Sequence, residues 1–135
     1  MSQELIAGLN NSLNREISTA LRYMLQAAAI RGGQWQPVRD MYLSEVQDEM
    51  GHAQYLANKI AMLDGTAELK PDLTPPPTDP RQMLQNDIEQ ERVDVTGYLK
   101  LARMAEQSGY AELKMRMEEM AADEDGHAEA MQRLL

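Results

Sequence analysis

Asp48-Glu49-Met50-Gly51-His52-Ala53 returns 75 residues further on as Asp123-Glu124-Asp125-Gly126-His127-Ala128, with only Met50 and Asp125 differing. Residues three apart share a face of an α-helix, so each copy presents a carboxylate and an imidazole in the same direction. The chain has two histidines, and both lie in this motif. One Glu-x-x-His is weak evidence for a metal site. Two copies at a fixed offset raise the question of whether the rest of the chain repeats with them.

It does. A first helix is expected over 3–31, where Leu9, Leu13, Glu16, Ala20, Tyr23 and Ala27 recur at alternating steps of four and three, with Glu16 in the middle of the face. Gly32-Gly33 suits its C-terminal cap, and Pro37 suits the first turn of a second helix over 37–64. In that helix Tyr42, Val46, Glu49, His52 or Ala53, Leu56, Ile60 and Leu63 share a face, and Asp64-Gly65 ends it. Asp79-Pro80 is an N-cap followed by a first-turn residue, opening a third helix over 80–108 with Leu84, Ile88, Glu91, Val95, Tyr98 and Ala102 on one face. Ser108-Gly109 interrupts it, and a fourth helix over 110–134 carries Leu113, Met117, Met120, Glu124, His127, Met131 and Leu134. Adding 75 maps Glu16 onto Glu91, Tyr23 onto Tyr98, Glu49 onto Glu124 and His52 onto His127.

The segment 65–79 includes Lys70-Pro71-Asp72-Leu73-Thr74-Pro75-Pro76-Pro77-Thr78, which cannot be helical but can run extended over a surface. It is long for a helical hairpin, so it is expected to carry the chain from one end of a bundle to the other. A flexible interdomain linker does not fit, because neither half can bury its own acidic face alone. The expected fold is therefore all-α: a single domain over 1–135, a four-helix bundle with one long crossover between the second and third helices.

Composition narrows the chemistry. With 135 residues and 43% hydrophobic content the chain can build one core. The absence of cysteine excludes disulfides, thiolate zinc sites and cysteine-held iron–sulfur centres, and weakly favours a cytoplasmic setting. Met1-Ser2-Gln3-Glu4-Leu5 has no basic stretch leading into an apolar run, so no signal peptide is expected, and no apolar run is long enough to cross a membrane. A net charge of −9 argues against a nucleic-acid partner and favours cations, although many soluble acidic proteins share it. The 11 methionines read mostly as core and interface filler.

Four glutamates and two histidines on inward faces are intolerable as bare buried charge. Two divalent cations bring four positive charges against four carboxylates, and this balance is the physical reason to expect metal. The mixed oxygen and nitrogen donors suit iron or manganese, whereas structural zinc favours closed sites with thiolates. One Glu from each of two helices plus Glu-x-x-His from each of the other two is the ligand set of ferritin-like di-iron carboxylate bundles. Glu16 and His52 are expected to cap one metal, Glu91 and His127 the other, with Glu49 and Glu124 bridging. Tyr23 and Tyr98 can each hydrogen-bond a ligating carboxylate of the opposite half, or simply fill core with the hydroxyl on some acceptor. Asp87 can accept the second N–H of a ligating imidazole, or remain a solvated acid.

On these residues the chain resembles the bacterioferritin family. The resemblance covers nearly the whole sequence and rests on both Asp-Glu-x-Gly-His copies and both upstream glutamates. It implies a ferroxidase that oxidises two Fe(II) with oxygen or hydrogen peroxide, and iron storage as ferric mineral inside a homo-oligomeric cage assembled from dimers. It also implies a role for Met50, which stands where bacterioferritins place a haem-ligating Met at a two-fold subunit interface. Without haem, Met50 reads as part of a Met-lined interface.

Two departures qualify the resemblance. The chain ends eight residues after His127 (135 − 127), without the short fifth helix that lines the four-fold axis of the large cage. A smaller shell such as a dodecamer, or a dimer, then becomes an expectation. Ser44 replaces the family's cavity-facing histidine, which puts its internal iron-transfer route in doubt. Two further readings remain: a rubrerythrin-like peroxide reductase, against which the missing rubredoxin cysteines count, and a non-catalytic metal-binding bundle.

Overall fold

The computed structural model describes residues 3–135; Met1 and Ser2, which open the stretch read as lacking a leader, lie outside the described residues. Among the described residues there are four α-helices: α1 Gln3–Ala29, α2 Gln36–Met62, α3 Pro80–Gln107 and α4 Ala111–Leu134, with a 3-10 turn Gly33–Trp35 between the first two. α1 packs chiefly on α2 and α3 on α4. Contacts between the two pairs run in opposite senses along the chain, Arg22 to Asp87 and Arg15 to Asp94, then Asp48 to His127 and His52 to Asp123. α1 is therefore antiparallel to α3 and α2 to α4, an arrangement a two-fold axis through the bundle would generate. Among the described residues no helix is long and apolar enough to cross a membrane.

The helix ends follow local chemistry. α1 stops at Ala29, two residues short of the expected 31, because Gly32 turns left-handed at φ 99° and a 3-10 turn intervenes before Pro37 enters the first turn of α2. At the end of α2, Asp64 adopts φ 60° and the Gly65 N–H donates to the Ile60 carbonyl at 2.9 Å. The Asp79 carboxylate accepts the Gln82 N–H at 3.0 Å and so caps α3.

The crossover is fastened to α1 by a ladder absent from the sequence reading. The Asn10 amide donates to the Thr66 carbonyl and accepts the Glu68 N–H, both at 2.9 Å. Asn14 repeats the pattern, donating to the Glu68 carbonyl at 2.8 Å and accepting the Lys70 N–H, and the Asp72 N–H donates to Ser18 Oγ at 2.8 Å. Four helical residues rise about 6 Å, and two extended residues advance about the same. Side chains at steps of four on α1 thus meet every second residue of the strap.

The core divides in two. One apolar cluster gathers Leu5, Leu9, Leu13, Leu56, Ile60, Leu113 and Met117, the other Tyr23, Ala27, Val38, Tyr42, Met83, Leu84 and Met131. Between them, on all four helices, lies a band of buried charge: Glu16, Glu49, His52, Glu91, Glu124 and His127. The expected stripes are displaced slightly on α2 and α3, where Val46, Leu63 and Val95 are half-buried while Glu45, Asp87 and Asp94 are buried.

Candidate metal centre

Each helix contributes to this band because each places an acid at mid-length on the face that its leucines, methionines and tyrosines bury. Glu16, Glu49, Glu91 and Glu124 are all fully buried. Their oxygens and the two imidazoles fall into two overlapping sets: Glu16, Glu49, Glu124 and His52 in one, Glu49, Glu91, Glu124 and His127 in the other, with the donor atoms of each set within 4.8 Å of one another. Glu49 and Glu124 belong to both. His52 Nδ1 lies 3.1 Å from Glu16, 3.3 Å from Glu124 and 3.7 Å from Glu49. His127 Nδ1 lies 3.4 Å from both Glu49 and Glu124 and 3.6 Å from Glu91.

These residues fit a pair of cations. Both oxygens of Glu49, both of Glu124, Glu91 Oε2 and His127 Nδ1 are buried without a hydrogen-bond partner, a concentration of orphaned donor atoms that a polar core would not tolerate. Burial pushes the Glu49 and Glu124 carboxyls far up, and the neighbouring glutamates push them further. Burial alone would lower the imidazoles, but the Glu16 carboxylate hydrogen-bonded to it lifts His52 to about 9, and the Glu49 and Glu91 carboxylates beside Nδ1 lift His127 to about 12. Excess negative charge at the centre adds to the effect of burial on the two glutamates and overcomes it on the two histidines.

A family profile described as a ferritin-like domain matches residues 6–135. The chain belongs to the ferritin-like family. It is similar to a bacterial ferritin of Pseudomonas aeruginosa, 28% identical over 89 residues; that match takes in 66% of the chain and spans 58% of the relative's length. A crystal structure described as a ferritin-like, diiron-carboxylate protein from Bacillus anthracis is 38% identical, with a TM-score of 0.94 over 100% of this chain and 99% of the other. The Mycobacterium tuberculosis bacterioferritin BfrA, 19% identical, shares the fold at a TM-score of 0.88 over 98% of this chain and 84% of its own.

Around the donors of this ferritin-like chain the hydrogen bonding crosses between halves. The Tyr23 hydroxyl donates to Glu91 Oε1 at 2.6 Å, and the Tyr98 hydroxyl donates to Glu16 Oε1 at 2.8 Å. Both rings are also core, so the two roles considered for them coexist. The outer nitrogens are held by acids outside the expected set: His52 Nε2 is 2.9 Å from Asp123 Oδ2, and His127 Nε2 is 3.1 Å from Asp48 Oδ2. This leaves Nδ1 of each ring facing the glutamates, where a metal needs it. The signal was present in the repeat, since Asp precedes Glu in both copies, but a helical wheel points these acids at solvent and cannot show a partner on the facing helix.

Asp87 requires correction on both alternatives. It is fully buried rather than solvated, and its oxygens accept from Arg22 Nε at 2.9 Å, Gln26 Nε2 at 2.7 Å and Tyr42 Oη at 2.7 Å rather than from an imidazole. Asp94, likewise buried, pairs with Arg15. Met50, directly after the fully buried Glu49, is 47% exposed. Ser44 is also exposed.

Proposed function

We propose that this chain is the subunit of an iron storage and detoxification protein with a di-iron ferroxidase centre. The observation that carries the reading is the two overlapping donor sets sharing Glu49 and Glu124, supported by likeness to a relative described as diiron-carboxylate. Glu16 and His52 would hold one Fe(II) and Glu91 and His127 the other, with Glu49 and Glu124 available to both. Iron held there would supply one electron per ion, so that a pair, with two protons, could take hydrogen peroxide to two waters or oxygen to hydrogen peroxide.

The protein's own work is placement and charge. Tyr23 and Tyr98 orient the capping carboxylates, Asp48 and Asp123 fix the imidazole tautomer, and the two apolar clusters keep water from either end of the band. Four carboxylates against two divalent ions give a neutral centre, and oxidation to the trivalent state adds two positive charges.

Storage requires an enclosed volume, so the chain acts as a homo-oligomer built from dimers, smaller than the large cage or equal to it. The exposed apolar residues Met24 and Leu25 on α1, with Leu43 and Met50 seven apart on α2, suit a contact between copies. At that contact the Met50 sulfur of each copy can ligate haem iron. Such a protein belongs in the cytoplasm.

Aerobic addition of Fe(II) followed by calibrated sizing tests the reading. The expected result is many irons retained per subunit in a large assembly; a small dimer that oxidises iron but retains none would overturn storage. For haem, purified protein should show a Soret band that Met50→Ala abolishes, and full retention of porphyrin in that variant would exclude the assignment.

A further inference from the structure

The two halves of the bundle repeat at the donors but not around them. Adding 75 carries Tyr42 onto Met117, Glu45 onto Met120, Ser12 onto Asp87, Thr19 onto Asp94 and Gln26 onto Leu101. All ten residues are buried. The flank that holds Glu45 also carries Tyr42, Gln26 and Asp87 where the opposite flank carries Met117, Met120, Leu101 and Ser12, while Asp94, paired with Arg15, lies on that second flank.

Most of that added charge is compensated. Asp87 is paired with Arg22 and Asp94 with Arg15. Glu45 is different: it is 4% exposed, its Oε2 is buried without a hydrogen-bond partner, and among the described residues no Lys or Arg forms a salt bridge with it. It stands one helical turn before Glu49 on α2. Three residues before it on α2 Tyr42 donates to Asp87 at 2.7 Å, and three after it Asp48 holds His127 Nε2 at 3.1 Å, which sets Glu45 on the Glu91–His127 side of the centre, where His127 and Glu91 are the charges that bear on it most. The other position, between Glu16 and His52, has Met120 in the equivalent place. A fifth carboxylate nearer one cation than the other lowers that cation's energy more, and the cation in turn favours the ionised carboxylate.

We propose that Glu45 makes the two metal positions inequivalent, so that a divalent cation fills the Glu91–His127 position before the Glu16–His52 position. The inference rests on the di-metal reading of the centre. It gives the centre an order of loading, and leaves Glu45 a positioning residue rather than a ligand shared by both ions.

Co(II), added without oxygen to the whole protein, is the probe. Visible absorption and calorimetry should resolve two steps separated by roughly fivefold or more in affinity, the size expected from a charge a few ångströms closer to one ion at an effective dielectric of about 20. At one equivalent, cobalt-edge anomalous density should concentrate between Glu91 and His127. Glu45→Met, which installs the residue of the other half, should weaken the tighter step until the two merge and leave the weaker step where it was. Met120→Glu should bring them together from the other side, and serves if the first variant folds poorly. Equal affinities in the unaltered protein, first filling at Glu16–His52, or an equal loss at both steps in Glu45→Met would overturn the inference while leaving the di-metal reading intact. Failure of cobalt to saturate at two per chain would remove both.

Discussion

Asp48 and Asp123 are more than half exposed, yet each holds the outer nitrogen of a histidine from the facing helix. An exposed acid contributes little to folding, so Asp48→Asn should leave the unfolding free energy of the metal-free protein within about 0.5 kcal/mol. The same change should weaken divalent-cation binding about 10- to 100-fold, because His127 loses the partner that fixes its tautomer. Anaerobic calorimetry reads both quantities on one sample. Tyr23→Phe predicts the reverse pattern: it strands a buried Glu91 oxygen and should cost about 1–3 kcal/mol in denaturant unfolding, with cation binding less affected. The six donors were legible in the sequence because they obey one repeat on faces already marked apolar. Glu45, Asp87 and Asp94 were not, because on a helical wheel each sits at the edge of the stripe, where burial depends on how far the neighbouring helix overlaps.

The four helices announced themselves through spacing, and their ends through Gly32, Asp64-Gly65, Asp79-Pro80 and Gly109, residues whose backbone or capping chemistry is local. The crossover did not. Its prolines exclude a helix but say nothing of what lies beneath, and Asn10, Asn14 and Ser18 look like ordinary solvated positions of α1 until a strap of matching rise is laid across them. Asn14→Ala removes both of its hydrogen bonds to the strap, along with one to the Asn10 carbonyl, and should cost about 1–2 kcal/mol. Hydrogen exchange at the Lys70 amide, which donates to Asn14, should accelerate in that variant while amides in the middle of α3 stay protected. Uniform acceleration throughout the chain would mean that the ladder supports the whole fold rather than fastening the strap.

At the level of the whole molecule, the centre couples stability to pH. His52 titrates at about 9 against an ordinary 6.5, so its contribution is complete below pH 6.5 and is lost as pH rises through 9. Burial raises Glu45 to about 8 and Asp94 to about 7, so the protonated forms of both are favoured in the fold, and they act in the same direction at lower pH. The melting temperature of the metal-free protein should therefore fall between pH 6.5 and 9, while affinity for divalent cations rises over the same range as protons cease to compete. Scanning calorimetry with and without a redox-inert divalent ion checks the opposed trends. Anaerobic Fe(II) titration decides whether one bundle holds two iron ions between shared glutamates. Binding should saturate at two Fe(II) per chain, and admitting oxygen should then produce a ferric absorbance in proportion. Saturation at one, or no saturation at all, would contradict it.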